Sequence, residues 1–315
     1  MSEAADAPLA GAAGLSIAVF APGGYDADPG RLRRATERLE AGGARVVHCL
    51  DPDARHGRFA GTDAERLRWL AAVVDAPDLD IAMALRGGYG ATRLLPHVDF
   101  AAMAAAIRRR GRRFVGHSDF TALHLGLLAT TGAISFAGPM AGDDFGGASV
   151  DAFAQQHFWA AMNASAVDVE FDAPSAPAVD VDGVLWGGNL AMVTSLIGTP
   201  WMPAVDGGIL FVEDVNEQPY RIERMLLQLQ QAGVLDRQRA VLCGDFSGYR
   251  VTPYDDGYGI ADALDHVQRA TSTPLLRGLP FGHVPRKLTL AVGARATVMA
   301  ADGRVRLRQH WRLGA

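Results

Sequence analysis

Arg113-Phe114-Val115 is a β-type run that enters a Gly116-His117-Ser118-Asp119 turn, and Thr121-Ala122-Leu123-His124-Leu125-Gly126-Leu127-Leu128 leaves it as an apolar helix. This junction constrains the chain more than any other segment. A serine on a sharp strand-to-helix turn has its hydroxyl exposed and its neighbours' backbone N–H groups aimed at one point. That geometry makes a nucleophile with half an oxyanion hole. The hydrolase pattern G-x-S-x-G is not met, because Phe120 stands at the second glycine. The same residues equally make a helix N-cap, with Ser118 or Asp119 satisfying free N–H groups.

The rest of the first half repeats the alternation. Leu15–Phe20, Arg45–Cys49, Asp80–Leu85 and Ala133–Phe136 read as further strands. Leu32, Ala35 and Leu39 recur at helical spacing, and Thr62-Asp63-Ala64-Glu65 is a capping box that opens another helix. Strands spaced by such helices predict a parallel sheet covered on both faces, with ligands at the carboxyl edge. After about residue 160 the pattern changes. A Pro/Ala stretch, 172–178, precedes strand-like runs at 209–212, 240–243 and 288–292 and an amphipathic helix through Ile222, Met225, Leu226 and Leu229. The alternation Arg304–Arg308 reads as an exposed edge strand. The expected division is an α/β domain over 1–165, a linker over 166–180 and an α+β domain over 181–315.

At 315 residues, 49% apolar and net charge −5, the chain has material for two folded domains. Without basic clusters it is unsuited to nucleic acid or an anionic membrane. Arg108-Arg109-Arg110 with Arg112-Arg113 reads as the solvated end of a helix. Cys49 and Cys243 lie in apolar runs and read as buried free thiols. The N-terminus, Met1–Asp6, lacks a basic n-region and no apolar run spans a bilayer, so the chain reads as cytoplasmic. Lys287 is the only lysine. A Schiff-base or Ser–Lys mechanism would have to use it, which argues against those classes.

Arg86-Gly87-Gly88-Tyr89-Gly90 follows a strand and opens a helix. Consecutive glycines let backbone N–H groups approach an anion, which makes Gly88 a candidate oxyanion donor; a tight turn without ligand is the alternative. The dinucleotide fingerprint fails, since Arg93 occupies its last glycine. Trp186-Gly187-Gly188-Asn189 either lines a peptide pocket or turns a hairpin corner with Trp186 in the core, and the residues favour the corner. Glu213-Asp214 ends an apolar strand, where acids usually cap or solvate. His283 follows Leu279-Pro280-Phe281-Gly282 and alone would read as structural. Yet a serine nucleophile needs a base and an orienting acid, and Ser118, Glu213 and His283 occur in a known order, serine, acid, histidine.

The segments Arg86–Leu95, Gly116–Thr121, Trp186–Leu190, Phe211–Asp214 with Pro219–Met225, and Phe281–His283 together resemble the murein tetrapeptide LD-carboxypeptidases, a serine-peptidase family. The likeness runs in order from about Val19 to Val298. Pro200–Pro203 and Arg224–Leu229 resemble the peptidoglycan-recycling branch more than the microcin-immunity branch. The resemblance implies an amidotransferase-like parallel-sheet N-terminal domain, a swivelling β/α C-terminal domain and a homodimer. It implies a nucleophile at Ser118, an acid at Glu213, with Glu217 and Glu223 the possible confusions, and a base at His283. The oxyanion donors would be the N–H groups of Gly88 and Asp119. Apart from the resemblance, the terminal carboxylate needs a cation, and Arg86, beside the oxyanion turn, is the expected anchor, with Trp186 and Asn189 as further substrate contacts. Neither metal nor cofactor is implied. The substrate would be a murein tetrapeptide, free, sugar-linked or UDP-linked, losing its terminal D-Ala. A peptidyl-nucleotide antibiotic as substrate, or a non-catalytic murein-peptide sensor, are the rivals.

Overall fold

Five short runs and one distant segment build the first sheet. In the computed structural model, which describes residues 11–174 and 176–314, β1 (Ser16–Phe20), β2 (Arg45–His48), β3 (Ile81–Ala84), β4 (Arg113–Gly116) and β5 (Ser135–Ala137) are joined by helical crossovers. These are α1 (Gly30–Ala41), α2 (Asp63–Asp75), the short α3 (Ala91–Leu94) with α4 (Phe100–Arg110), and α5 (Thr121–Thr131). All of β1 and β3 is buried, as expected for parallel strands covered on both faces. The two-residue strand period sends Ile17 and Val19 to one face, with Leu32, Leu39 and Phe158, and Ala18 and Phe20 to the other, with Leu70 and Ile107. Thr62 closes the expected capping box on α2, accepting from the Glu65 N–H while Glu65 accepts from the Thr62 N–H.

The second half follows α6 (Ala152–Asn163). Its strands are β6 (Ala166–Asp172), β7 (Val179–Asn189), β8 (Gly208–Val215), β9 (Gln238–Ser247) and β10 (Leu275–Arg277), then β11 (Leu290–Val292), β12 (Arg295–Ala301) and β13 (Arg304–His310). Helices α7 (Leu190–Ser195), α8 (Pro219–Gln231) and α9 (Ile260–Ala270) pack among them. The second sheet runs β10-β9-β8-β7-β12-β13-β6, parallel from β10 to β7 and antiparallel beyond.

Three expectations are corrected here. Residues 166–172, expected within the linker, form β6 and pair with β13. Consequently β13 is an interior strand and β6 is the edge. The alternation in Arg304–Arg308 reported a one-sided strand, with Val305 and Leu307 buried and Arg306 and Arg308 paired to Asp168. Alternation says nothing of whether the backbone edge is paired. Arg112, expected on a solvated helix end, is fully buried and donates to the carbonyls of Val74 at 2.6 Å and Leu79 at 3.2 Å. Met1–Asp6, read for the lack of a leader, and Ser175 of the Pro/Ala stretch lie outside the described residues.

The two halves are joined by more than a linker. Strand β11 leaves the C-terminal half and pairs antiparallel with β5, completing the order β11-β5-β4-β3-β1-β2. One continuous core contains Phe120, Leu123 and Leu127 from the first half and Trp186, Leu190 and Leu210 from the second. Each such side chain contributes about 1.5–3 kcal/mol relative to exposure. The helix that follows β4 is thereby held against β7, the strand beside β8.

Candidate active site

Strand β4 ends at Gly116, and residues 118–120 make a single turn that runs directly into α5. Ser118 takes a φ of +62°, a left-handed conformation that a non-glycine residue adopts at a cost of about 1–3 kcal/mol. The surroundings enforce it. From α5, His124 reaches back with Nε2 2.9 Å from the Gly116 carbonyl and Nδ1 2.7 Å from the Ser135 hydroxyl. A carbonyl can only accept, so Nε2 carries the proton and Nδ1 accepts from Ser135. Burial pulls the His124 pKa down to about 4, which keeps the ring neutral.

The turn Arg86–Gly90 lies against Ser118. A Cβ on Gly87 would sit 2.7 Å from both Cβ and Oγ of Ser118, so only glycine permits this approach. Gly88 has a φ of +88°, again suited to glycine. Asp119 ties the two turns together, its carboxylate accepting from the Ala91 N–H at 2.8 Å. Burial raises the Asp119 pKa to about 6 against these backbone bonds. Arg86 is half-buried, with Nη1 donating to the Tyr25 carbonyl at 2.8 Å and a buried Nε that makes no hydrogen bond among the described residues.

At the carboxyl end of β8, the fully buried Glu213 has Oε2 2.7 Å from His283 Nδ1. The carboxylate fixes the proton on Nδ1 and leaves Nε2 of neutral His283 as an acceptor. Burial is the largest influence on His283 and lowers its pKa. The hydrogen bond and charge of Glu213 outweigh burial, so the pKa ends above the ordinary 6.5. The His283 ring packs edge-on against His117, the neighbour of Ser118, with centroids 5.2 Å apart. Ser118 Oγ makes no hydrogen bond to His283 among the described residues; such contacts are often long in unliganded enzymes. Of the two confusable acids, Glu217 pairs with Arg221 at 3.5 Å and Glu223 accepts from Tyr258, so neither serves His283.

Trp186 and Asn189, expected to touch substrate, both lie inside the protein. Trp186 is buried in the shared core with Nε1 donating to Gln238 at 2.9 Å. Asn189 is also buried. It caps α7 through the Met192 N–H, and its Nδ2 donates to Asp214 at 2.9 Å and approaches Glu213 at 3.4 Å. It therefore braces the acid pair. Each side chain has its polar atoms satisfied within the protein.

Three residues with no role assigned from the sequence also meet here. Buried His117 has Nδ1 3.0 Å from the Gly138 carbonyl and Nε2 3.4 Å from Lys287 Nζ, and Lys287 pairs with Asp144 at 2.7 Å. The uniqueness of Lys287 was the available signal. Its partners His117 and Asp144 are far from it in sequence, and the Gly116–Asp119 motif that contains His117 points to Ser118 rather than to a lysine partner. A cavity of about 470 Å³ opens beside these groups, walled by His117, His283, Lys287, Asp144, Val284 and Gln155.

Comparison with known proteins gives the chain its relatives. Residues 17–138 match the LD-carboxypeptidase N-terminal domain of the peptidase S66 family and residues 182–298 the LD-carboxypeptidase C-terminal domain. The chain is 32% identical over 270 residues to the murein tetrapeptide carboxypeptidase of Pseudomonas aeruginosa, covering 79% of this chain and 84% of that one. It is 27% identical over 303 residues to the microcin C7 self-immunity protein MccF of Escherichia coli, covering 85% of each. The crystal structure of muramoyltetrapeptide carboxypeptidase from Oxalobacter formigenes superposes with a TM-score of 0.88 at 45% identity, covering 94% of this chain and 99% of that one. Both halves of the chain, and the fold that joins them, belong to the LD-carboxypeptidase family.

Proposed function

We propose that the protein is a cytoplasmic, homodimeric serine LD-carboxypeptidase that removes the terminal D-Ala from murein tetrapeptides in peptidoglycan recycling. The observation that carries this reading is the 2.7 Å contact between Glu213 and His283, with the His283 ring packed on the residue beside Ser118. Relatives named for murein tetrapeptides support the substrate class.

In this reading Ser118 Oγ attacks the carbonyl of the bond between the diamino acid and D-Ala. His283 Nε2 takes the hydroxyl proton, and Glu213 holds the imidazolium that forms. The N–H groups of Gly88 and Asp119 receive the oxyanion. The tetrahedral intermediate collapses as His283 gives its proton to the D-Ala amine, and D-Ala leaves. Water, deprotonated by His283, then cleaves the acyl-enzyme and restores Ser118. Arg86 binds the terminal carboxylate, supported by its position one residue from the Gly87–Gly88 approach.

Free and UDP-linked tetrapeptides incubated with the protein should each lose one alanine by mass spectrometry, and Arg86→Ala should raise KM. Cleavage of a peptidyl-nucleotide with tetrapeptides untouched would instead favour the immunity reading suggested by the MccF likeness. Loss of no alanine from any tetrapeptide would overturn the proposal.

A further inference from the structure

The only ammonium side chain in the protein is 3% exposed and lines the same cavity as the base, where the mechanism above gives it no task. Lys287 is anchored on one side by Asp144, whose other oxygen accepts from the Met140 N–H at 2.8 Å. On the other side it faces His117 Nε2 at 3.4 Å. The Gly138 carbonyl, 3.0 Å from Nδ1, requires the proton there, so Nε2 presents a lone pair to the ammonium. His117 is therefore a neutral acceptor, and its ring is the wall on which His283 packs.

We propose that Lys287 is a positioning residue for the base: together with Asp144 it locks the neutral ring of His117, which sets the orientation of His283 toward Ser118, and its charge opposes that of Glu213. The proposal rests on Ser118 and His283 being nucleophile and base. His283 is in contact with Glu213 from β8 and His117 from the turn after β4, and the charges of Asp214 and Lys287 also act on it; those of His124 and Lys287 act on His117. Glu213 and Asp214 favour the imidazolium and Lys287 disfavours it. A base subject to these negative charges without Lys287 would remain protonated to higher pH. Lys287 keeps the neutral form available nearer neutrality.

The test follows the rate of Ser118 labelling by a simple alkyl fluorophosphonate against pH, where Oγ displaces fluoride and no peptide is needed. Lys287→Met should move the acid limb of that rate upward by about one pH unit. Asp144→Asn, which leaves the ammonium uncompensated, should move it the other way, and Lys287→Arg should keep it near wild type. Purely structural damage would shift both charge variants alike. Histidine ring NMR should show the His283 titration moving with the same signs. An unchanged limb in folded Lys287→Met overturns the proposal; if that variant does not fold, an unchanged or upward-moved limb in Asp144→Asn does so. Failure of wild type to label would sink the serine nucleophile itself, and the His283 NMR titrations in the two variants would still decide whether Lys287 acts on that ring.

Discussion

The backbone N–H of Asn189 donates to the side-chain hydroxyl of Thr121 over 3.0 Å. Thr121 opens the helix that leaves Ser118, and Asn189 is the register partner of Glu213 in the second sheet. One hydrogen bond thus links the helix behind the proposed nucleophile to the strands that carry the proposed acid. Thr121→Val removes the acceptor and leaves a buried N–H unpaired, at a cost of about 1–3 kcal/mol. Urea unfolding should show that loss, with kcat falling more than KM rises, and Thr121→Ser should restore both. Wild-type stability and turnover in Thr121→Val would mean the two halves do not rely on this bond.

Gly87→Ala should silence the nucleophile without unfolding the protein. The added methyl would lie 2.7 Å from Ser118 Oγ and 3.4 Å from the Asp119 nitrogen, inside the space where a carbonyl must arrive. Loss of one oxyanion-type interaction alone costs about 100- to 1000-fold in kcat, and displacement of Oγ adds to it. Stopped-flow labelling of Ser118 measures the effect, and a wild-type rate would contradict the placement of Gly87.

The pH profile separates the acids. Neutral His283 is the active base, and its pKa lies above 6.5 because Glu213 overcomes burial. The acid limb of kcat/KM should therefore fall above pH 6.5. In Glu213→Gln the raising interactions of that carboxylate vanish while burial and Lys287 remain, so the limb should move down. Turnover should drop by about 10⁴-fold, as for loss of an orienting carboxylate elsewhere. Glu217→Gln and Glu223→Gln should change kcat/KM by no more than about threefold, since Glu217 sits in an exposed ion pair with Arg221 and Glu223 accepts from Tyr258, both away from His283. A greater loss in Glu217→Gln than in Glu213→Gln would move the acid.

The strand–helix alternation made the first sheet legible, because buried parallel strands write themselves as short apolar runs with helices between. The placement of Ser118 just after a strand of the first half and of Glu213 at the end of a strand of the second was legible too. Three things were not. Strand β11 is three residues, Leu290–Val292, and nothing local says that it joins the distant sheet through β5. Trp186 and Asn189 sit in a glycine-rich corner whose composition suits a pocket as well as a core; only packing against Gln238 and Asp214 distinguishes them. Lys287, His117 and Asp144 meet through tertiary structure alone. Their charges and protons can be assigned only once the distances exist.

Beneath the site, His124 makes stability depend on pH with a definite sign. Its folded pKa is about 4 against the ordinary 6.5, so below pH 6.5 the unfolded chain binds a proton that the fold refuses. The stability it contributes is complete above pH 6.5 and is lost as pH falls toward 4, by about 3 kcal/mol. Asp119 and Asp214, raised to about 6 from 3.8, act oppositely between those values. His124→Asn isolates the histidine. It should be less stable than wild type at pH 7.5, with the gap narrowing steadily toward pH 4 in urea titrations. A gap that stays constant with pH would show that His124 is not buried in the neutral form.

The most direct measurement is release of D-Ala from a murein tetrapeptide by wild type and by Ser118→Ala. The substitution deletes one half-buried oxygen and relieves nothing that holds the fold, so circular dichroism and unfolding should remain close to wild type. Groups that act as one catalytic unit lose nearly all activity when the nucleophile is removed, by about 10⁶-fold in a well-studied serine protease. We expect D-Ala release by Ser118→Ala to fall to background. A folded Ser118→Ala protein that releases D-Ala within about tenfold of the wild-type rate would contradict the mechanism at its centre.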